Sequence, residues 1–560
     1  MLPKEFQKNG NKSPMKGLFT LLILGSMMKK QNLHMWSLSL LMLAYGLSLA
    51  IGVPASTAST LNLRDIANSY AVSQIRSLND AGIISGDEHG YFHPTRLVTR
   101  AEFVAMLNRT IGIKPVASNT ASYTDVPKSS WAYGDIQAAA ALELVNGTSS
   151  RTFSPVRTIT REEAAAMLVR ALKEKSVTNA SLSLKDVQAI STWALPSVRD
   201  AVHSGWLTGY NGYFRPKDAL SREETAVILY RIHNLLKSHP VSAKPLVSLG
   251  WQYQSTTAEF ITQVKNSSVN TLSPRWFFLQ KDGSISDTTD ASLVTWAKKN
   301  GKQVWPLFGN RFDSATTHAV LTDPAKRKAL VQTLTGYVQK YQLDGVNVDF
   351  ESFSPSDRDF FTLFIKELTA ALHQKGAVVS VDVPPDTGSD WSDPFDYGKL
   401  AEYADYIVLM AYEEHWVGSQ MAGSVASLPW FKNTIANLLD EVPSERLIVG
   451  MPLYTRDWYK AQGGMQSTDL SIPDSYGLLS RYGGSTKWDA NLGQYVSYYN
   501  KGGVTHTIWL EESRSLGLKA KASLDYHVGG FAYWYIGSES PDVWSAINNS
   551  ILLKQTRKRL

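Results

Sequence analysis

Three polar residues alternate with apolar ones in the stretch LDGVNVDFES, residues 343–352. Asn347, Asp349 and Glu351 are two positions apart, so a β-strand would place all three on one face and the apolar residues on the other. The β-branched and aromatic content also favours a strand over a helix. Carboxyl groups of this kind transfer protons in many enzymes, but they also occur at solvated strand ends, and a short motif alone does not decide between the two.

The segments on either side of this strand predict helices. The preceding segment has Pro324 near its helix start, and the following one is expected to be capped at Ser356 and ended by Gly376. Seven further apolar runs are typical of strands and are mostly separated by helical patterns: 245–251, 270–278, 303–309, 377–383, 406–412, 446–454 and 528–535. Eight such strands predict an α/β fold, a (β/α)8 TIM barrel, with Glu351 at the C-terminal strand end where active sites of this fold lie.

Four motifs in this region occur in the order of one known family. DGVNVDFE at 344–351 resembles the D-G-x-D-x-D-x-E signature of glycoside hydrolase family 18. MAYEEHW at 410–416, GMPLYTRDW at 450–458 and GGFAYW at 529–534 resemble its later strand motifs. The resemblance extends from Trp251 to Trp544 and implies a catalytic barrel over residues 241–555. It is greatest to the branch that includes spore-cortex and cell-wall N-acetylglucosaminidases.

The resemblance implies a retaining mechanism in which the substrate's own 2-acetamido oxygen attacks the anomeric carbon. Glu351 is then the general acid and later the base, Asp349 stabilises the charge on the acetamide, and Tyr412 positions the acetamide oxygen. Trp534 would form a platform for the sugar face. Asn347 stands where many members of the family have a third aspartate, so the pH profile is expected to differ because a like charge is absent.

The same resemblance makes Tyr454, Arg456 and Trp251 candidate substrate contacts. The expected substrate is a polymer that contains N-acetylglucosamine, either peptidoglycan or chitin, and no cofactor or metal is expected. Two other classes are open: a lectin-like barrel that binds glycans without cutting them, and a structural surface-layer protein. The presence of Glu351 favours the enzyme.

Residues 59–240 contain three repeats with a period of 61 residues. We divide them at 59–118, 119–179 and 180–240. Each repeat opens with an acid and later has a phenylalanine, a proline and an arginine in register: Asp65, Phe92, Pro94 and Arg100; Asp125, Phe153, Pro155 and Arg161; Asp186, Phe214, Pro216 and Arg222. The second helix of each repeat is predicted to begin with a capping box, formed by Thr99 and Glu102, Thr160 and Glu163, or Ser221 and Glu224.

Arg100, Arg161 and Arg222 occupy the first turn of these helices, where the helix dipole favours anions instead. One such arginine would be a solvated helix start, but three in register suggest sites where a guanidinium and helix N-terminal amides hold an anion. The repeats resemble S-layer homology domains, most closely at TRAE, residues 99–102. That implies a mainly helical module that binds the anionic secondary polysaccharide of Gram-positive-type cell walls. Tyr70 stands where the other repeats have tryptophan, which predicts a weaker first groove.

Residues 1–58 are interpreted as a leader. From Met28, a basic segment, an apolar segment and cleavage options near Ala55 or Ala58 predict a signal peptide, with an uncleaved anchor as the alternative. The protein is therefore expected to be secreted and held at the cell wall, without a stable membrane span after cleavage.

Composition excludes two other classes of function. The net charge of +6 is concentrated in the leader, whose six lysines and one glutamate leave about +1 for the remaining chain. Nucleic-acid binding therefore loses its main support. The chain has no cysteine, which excludes disulfides and a thiol nucleophile.

Overall fold

The computed structural model describes residues 63–173, 181–240 and 245–559. The predicted leader and signal peptide lie outside these residues. No helix in the described ranges is long and apolar enough to cross a membrane. One large hydrophobic core lies in the barrel and a second lies in the repeats.

The barrel and its insertion are built from sixteen strands over residues 245–559. In chain order they are β1 (Val247–Trp251), β2 (Thr271–Ser273), β3 (Phe277–Leu279), β4 (Ile285–Asp287), β5 (Gln303–Val304), β6 (Leu307–Gly309), β7 (Gly345–Asp349), β8 (Val378–Val383), β9 (Tyr406–Met410), β10 (Leu447–Pro452), β11 (Tyr454–Ala461), β12 (Gly464–Ser471), β13 (Ser485–Asp489), β14 (Gln494–Lys501), β15 (Val504–Leu510) and β16 (Gly530–Trp534).

The parallel strands form the predicted barrel. β2 and β3 form one interrupted strand, as do β5 and β6, because β2 pairs with β5 and β3 pairs with β6. The sheet continues through β7, β8, β9, β10 and β16 to β1, and β1 pairs with β2. β4 adds one antiparallel strand beside β3. Each of the eight predicted apolar runs contains a strand, so the barrel prediction is confirmed.

A second sheet lies between β10 and β16 in the chain and was not predicted. It is antiparallel, with the strand order β12-β11-β15-β14-β13. Its first strand, β11, directly follows β10, so β11 starts at the edge of the barrel where the catalytic residues are expected.

Helices alternate with the barrel strands as the pattern predicted. They are Thr257–Lys265, Ala291–Lys299, Ser314–Leu321, Pro324–Tyr341, Arg358–His373, Tyr397–Tyr403, Leu428–Leu438, Ser513–Asp525 and Asp542–Lys558, with Ile472–Arg481 in the insertion. Pro324 begins its helix, as predicted. The predicted cap at Ser356 is wrong, because Ser354 caps a short 3-10 turn, Pro355–Asp357, that precedes the helix Arg358–His373.

The repeat module is helical, also as predicted. Its helices are Val72–Asp80, Arg100–Ile111, Tyr133–Ala141, Arg161–Leu172, Leu195–His203 and Arg222–Ser238. All three capping boxes are present, at Thr99, Thr160 and Ser221. These caps satisfy backbone N–H groups that a helix start would otherwise leave without partners.

The acid that opens each repeat holds the turn before the second helix. Asp125 accepts hydrogen bonds from the backbone N–H groups of Phe153 (2.8 Å) and Ser154 (2.7 Å), and Ser154 has a left-handed φ of 59°. Asp65 and Asp186 make the same pair of bonds in their own repeats. A carboxylate that accepts two backbone bonds stabilises this strained turn.

One helix belongs to both cores. On the helix Asp542–Lys558, Ile547 packs in the barrel core, whereas Ala546 and Leu553 pack in the core of the repeats. Asn549 on the same helix accepts from the Lys114 backbone N–H (2.9 Å) and donates to the Lys114 carbonyl (2.7 Å). The repeats and the barrel are therefore joined by packed surface as well as by chain.

Candidate active site and repeat arginines

The polar face of β7 points into the barrel. Val346, Val348 and Phe350 are fully buried in the core between strands and helices. Asp349 and Glu351, on the opposite face at the C-terminal end of the strand, line a cavity that is open to solvent. The alternation of polar and apolar residues in the sequence therefore places both carboxyls in one site.

Asn347 lies deeper and is fully buried with all its hydrogen-bonding groups in use. Its side-chain oxygen accepts from the Trp251 indole N–H (2.8 Å) and the Ser273 hydroxyl (3.1 Å). Its amide nitrogen donates to the Ser380 hydroxyl (3.0 Å) and to Asp382 Oδ1 (2.6 Å). Trp251 thus both lines the cavity and fixes Asn347, and no part of Asn347 is left for substrate.

Asp382 is a site residue that the sequence analysis missed. It lies on β8, is buried, and lines the cavity beside Asp349 and Glu351. Burial and the charge of Asp349 raise its pKa well above the usual range. The signal was present in AVVSVDV, residues 377–383, where an aspartate interrupts an apolar strand. A third carboxyl is therefore present in this site, on the strand next to the one expected to carry it.

The two carboxyls at the cavity have raised pKa values. Burial is the main cause for Glu351, and the nearby charge of Asp349 adds to it. Burial also raises the pKa of Asp349, an effect that the positive charge of Arg275 partly offsets. Because two negative charges close together in a poorly solvated cavity repel each other, Glu351 holds its proton to a higher pH than an exposed glutamate does.

The backbone at Glu351 is fixed by a side chain from the neighbouring barrel strand. Asn310, which follows β6, accepts from the Glu351 backbone N–H (3.0 Å) and donates to the Glu351 carbonyl (2.8 Å). Asn310 in turn donates to the Thr317 hydroxyl (3.0 Å). These bonds hold the strand end in place and do not involve the carboxyl. The sequence did not mark Asn310 as important.

Aromatic side chains complete the cavity. Tyr412 and Trp534 line it, together with Trp251, whose ring centroid lies 5.9 Å from that of Trp534. Within the described ranges the Tyr412 hydroxyl has no hydrogen-bond partner. The site therefore offers an apolar floor and one uncommitted O–H donor, which suits the face of a sugar and a polar substituent on it.

Glu413 is held at the rim by two of the candidate substrate contacts. The Tyr454 hydroxyl and the Arg456 guanidinium (2.7 Å) both donate to its carboxylate. Arg456 also binds Asp469 (2.6 Å) and the His415 carbonyl (2.5 Å), and it does not line the cavity. The structure therefore brings Tyr454 to the site but places Arg456 behind it, as a support for Glu413.

The repeat arginines lie between repeats and are largely buried. Arg161 donates from Nε to the Phe214 carbonyl (2.7 Å) and from its terminal nitrogen to the Thr208 carbonyl (2.8 Å), both in the third repeat. Arg100 bonds in the same way to the second repeat and Arg222 to the first, so the three close a ring. Each guanidinium also stacks on the phenylalanine whose carbonyl it binds. The arginines therefore cross-link the repeats, a role that the sequence did not indicate.

Comparison with known proteins agrees with both halves of the chain. Residues 252–539, half of the chain, match Glycosyl hydrolases family 18, and residues 62–104, 122–165 and 183–226 match the S-layer homology domain. The chain belongs to glycoside hydrolase family 18 and is a glycoside hydrolase that also contains three S-layer homology domains. These domains indicate anchoring at the cell surface.

Individual relatives point to the same family. The chain is 28% identical over 303 residues to the glycosylase YvbX of Bacillus subtilis (strain 168), covering 52% of this chain and 88% of that one. It is 25% identical over 281 residues to the cortical fragment-lytic enzyme of Bacillus cereus, covering 48% of this chain and 65% of that one. The crystal structure of a chitinase from Chromobacterium violaceum ATCC 12472 superposes with a TM-score of 0.51 at 25% identity, covering 55% of this chain and 99% of that one.

Proposed function

We propose that the barrel hydrolyses β-1,4 linkages next to N-acetylglucosamine in peptidoglycan or chitin-like polymers, with retention of configuration and with the substrate's acetamide as nucleophile. The supporting observation is the arrangement at the end of β7. Glu351, whose pKa is raised by burial, shares a cavity with Asp349 above an aromatic floor. A carboxyl that stays protonated near neutral pH is suited to protonate a leaving oxygen.

In the first step Glu351 gives its proton to the glycosidic oxygen as the bond to the anomeric carbon breaks. The acetamide oxygen attacks that carbon and forms a cyclic oxazolinium ion. Asp349 accepts the acetamide N–H bond and stabilises the positive charge that develops there, while Tyr412 donates to the acetamide oxygen and holds it in line. Trp534 supports the apolar face of the sugar.

In the second step the Glu351 carboxylate takes a proton from water. The oxygen of that water attacks the anomeric carbon and opens the ring, which returns Glu351 to its protonated form. Asn347 contributes by position, since it holds Asp382 and Trp251 in place beside Asp349. Asp382 places a third acid in the site in spite of the amide at position 347.

The decisive experiment compares matched oligomers of N-acetylglucosamine and of glucosamine. Only the acetylated oligomer contains the nucleophile, so we expect the enzyme to cleave it with retention, as read from the anomer first formed by NMR. Glu351→Gln serves as the inactive control. Equal cleavage of the deacetylated oligomer, or inversion at the anomeric carbon, would contradict the mechanism.

We also propose that the S-layer homology repeats bind an anionic secondary polysaccharide, which would place a secreted enzyme on a Gram-positive-type wall. Exposed aromatic side chains at matching positions, Tyr70, Trp131 and Trp193, are suited to contact sugar rings. Arg100, Arg161 and Arg222 would shape the spaces between repeats and add positive potential to them, because their guanidinium groups are tied to the next repeat.

The wall-binding test uses Glu351→Gln chains, so that the walls stay intact during sedimentation. We expect the parent to pellet with walls, to be released by salt, and to pellet much less when the secondary polymer is stripped, because only the barrel can then hold the remaining glycan. Replacing the three arginines by lysine keeps the charge but loses the two-pronged donor, so binding should be partly lost. Circular dichroism is used to confirm that the triple variant is folded. If the folded variant pellets like its parent, the arginines only hold the repeats together and do not bind the polymer.

A further inference from the structure

Two arginines converge at the mouth of the active-site cavity. Arg275 lies between β2 and β3, and its guanidinium carbon is 5.2 Å from the ring centroid of Tyr253 and 5.3 Å from that of Phe278. Arg311 follows β6 and lies 4.2 Å from the same Phe278 ring. Stacking on aromatic faces fixes both positive charges while leaving their N–H groups free to point elsewhere.

Neither arginine is bonded directly to an acid in the described residues, although Arg275 lies near enough to Asp349 to offset part of the rise that burial causes in the pKa of that carboxyl. Within the described ranges, Arg275 and Arg311 make no ion pair and no side-chain hydrogen bond, and the buried Nε of Arg275 has no acceptor. Arg327 and Arg456, two buried arginines of the same barrel, are each paired with carboxylates. Arg311 is exposed, but Arg275 is half-buried, and its buried Nε–H lacks an acceptor, which suggests that a ligand supplies one.

The backbone at Arg311 and Phe312 has an unfavourable conformation. Arg311 and Phe312 are consecutive residues with left-handed φ values of 54° and 59°. Such conformations are unfavourable for residues with side chains and tend to occur at functional sites. Phe312 lines the cavity, as does Arg275, alongside Asp349 and Glu351. Arg275 therefore lies where the reacting sugar would bind, and Arg311 lies beside the cavity on the Phe278 ring that the two arginines share.

The planar fork of arginine matches a carboxylate, which it binds with two parallel hydrogen bonds. In peptidoglycan every N-acetylglucosamine is flanked by N-acetylmuramic acid, whose lactyl group ends in a free carboxylate wherever the stem peptide, which is otherwise joined to it as an amide, has been removed. Chitin has no carboxylate on either side. An arginine beside the reacting sugar can therefore distinguish the two polymers, whether it contacts the sugar before or the sugar after that residue in the strand.

We propose that Arg275, assisted by Arg311, binds the free lactyl carboxylate of a peptide-free muramic acid next to the reacting N-acetylglucosamine, and so selects peptide-free peptidoglycan strands over chitin. The inference rests on the proposed function and names its substrate. It makes Arg275 a specificity residue, which acts on the choice of substrate through a group that takes no part in bond breaking.

The first test changes the substrate and leaves the enzyme intact. We measure kcat/KM for three soluble oligomers of equal length: alternating N-acetylglucosamine and N-acetylmuramic acid, the same oligomer with its lactyl carboxylates amidated, and an N-acetylglucosamine oligomer. Losing a charge-assisted hydrogen bond should lower kcat/KM about tenfold to a hundredfold for the amidated oligomer. Equal rates on the free and amidated oligomers would overturn the inference.

The second test changes the enzyme. Arg275→Gln should remove most of the preference for the free carboxylate over the amide, and Arg275→Lys should keep part of it. Arg481→Gln, an exposed arginine outside the cavity, loses the same charge and should keep the full preference. The readout is the kcat/KM for the free-carboxylate oligomer divided by that for the amidated oligomer. A single rate would not be enough, because Arg275 also affects Asp349 and so changes the rate on every substrate. An unchanged ratio in folded Arg275→Gln would overturn the assignment.

The outcomes also separate this inference from the function on which it rests. If the parent cleaves N-acetylglucosamine oligomers through Glu351 but is indifferent to the carboxylate, the proposed function stands and the role of Arg275 is wrong. If the parent cleaves no oligomer that contains N-acetylglucosamine, the proposed function fails and the inference fails with it.

Discussion

The active-site cavity and the spaces between repeats both bury charged groups, but they treat them in opposite ways. In the cavity, Asp349 and Glu351 lie close together and have pKa values shifted upward. Between repeats, each arginine donates to two carbonyls and stacks on a ring. Charge left without partners is available to a ligand or a reaction, whereas charge with a full set of partners holds structure together.

Removing the Glu351 carboxyl from the active-site cavity should have the largest effect, a loss of turnover. Glu351→Gln eliminates the transferable proton with almost no change in volume, so turnover of acetylated oligomers should fall about 10²- to 10⁴-fold or more. The measurement is kcat, with binding of a non-hydrolysed oligomer by calorimetry as the control. Near-normal turnover in the glutamine variant would remove Glu351 from its role.

Removing one of the hydrogen-bonded arginines between the repeats should instead lower the stability of the fold. Arg161→Ala strands the Phe214 and Thr208 carbonyls, so the free energy of unfolding should fall by about 2–6 kcal/mol, at about 1–3 kcal/mol for each stranded acceptor. Denaturant unfolding of the full chain measures this. Arg151→Ala, an exposed arginine in the second repeat, is the control. Cleavage of soluble oligomers by the folded fraction should be unchanged, and loss of that activity would mean that the repeats act on the barrel.

The pH dependence provides a finer comparison within the cavity. Glu351 must be protonated to act, and its pKa is raised, so activity should persist through neutral pH and fall as pH rises past that raised value. Asn347→Asp adds an acid beside Asp382. An added negative charge raises the pKa of Glu351 further, so the alkaline fall should move to higher pH. Asn437→Asp, on the exposed side of a barrel helix, should leave the profile in place. A shift to lower pH would contradict this account.

The smallest expected effect concerns the caps. Thr160→Ala removes the side chain that accepts from the Glu163 backbone N–H (3.3 Å), which should destabilise the repeats by about 1 kcal/mol. Thr160→Ser keeps the hydroxyl and should behave like the parent. Thermal unfolding of both variants measures the difference. A loss for alanine as large as that expected for Arg161→Ala would mean that the ring of arginines depends on this cap.

The parts of the fold that follow a short period were predictable from the sequence. Alternation placed Asp349 and Glu351 on one face of a strand, and the 61-residue period identified the repeats and their capping boxes. The inserted sheet was missed because its strands carry polar residues on exposed faces, so no long apolar run marks them. Glycine pairs such as Gly502 and Gly503, both with positive φ, are the turn signal that could have found it.

Contacts between distant segments were beyond what a pattern can provide. The register of the arginines was visible, but whether each guanidinium turned outward to a ligand or inward to the next repeat depends on how three repeats pack. Asp382 was likewise visible as an acid in a strand, but its bond to Asn347 depends on the pairing of β7 with β8. A sequence shows which side chains are unusual, and only the packed chain shows what they contact.

The shared helix Asp542–Lys558 determines how the enzyme reaches its substrate. A catalytic domain on a flexible tether can search a volume set by the length of the linker. Here Leu553 is packed into the repeats while Ile547 is packed into the barrel, so the opening of the cavity keeps one direction relative to the anchored surface. If the repeats bind the wall and the barrel cuts its glycan as proposed, the enzyme would cut strands at one height and one angle above its point of attachment, and renewed cutting would require release and rebinding at a new place.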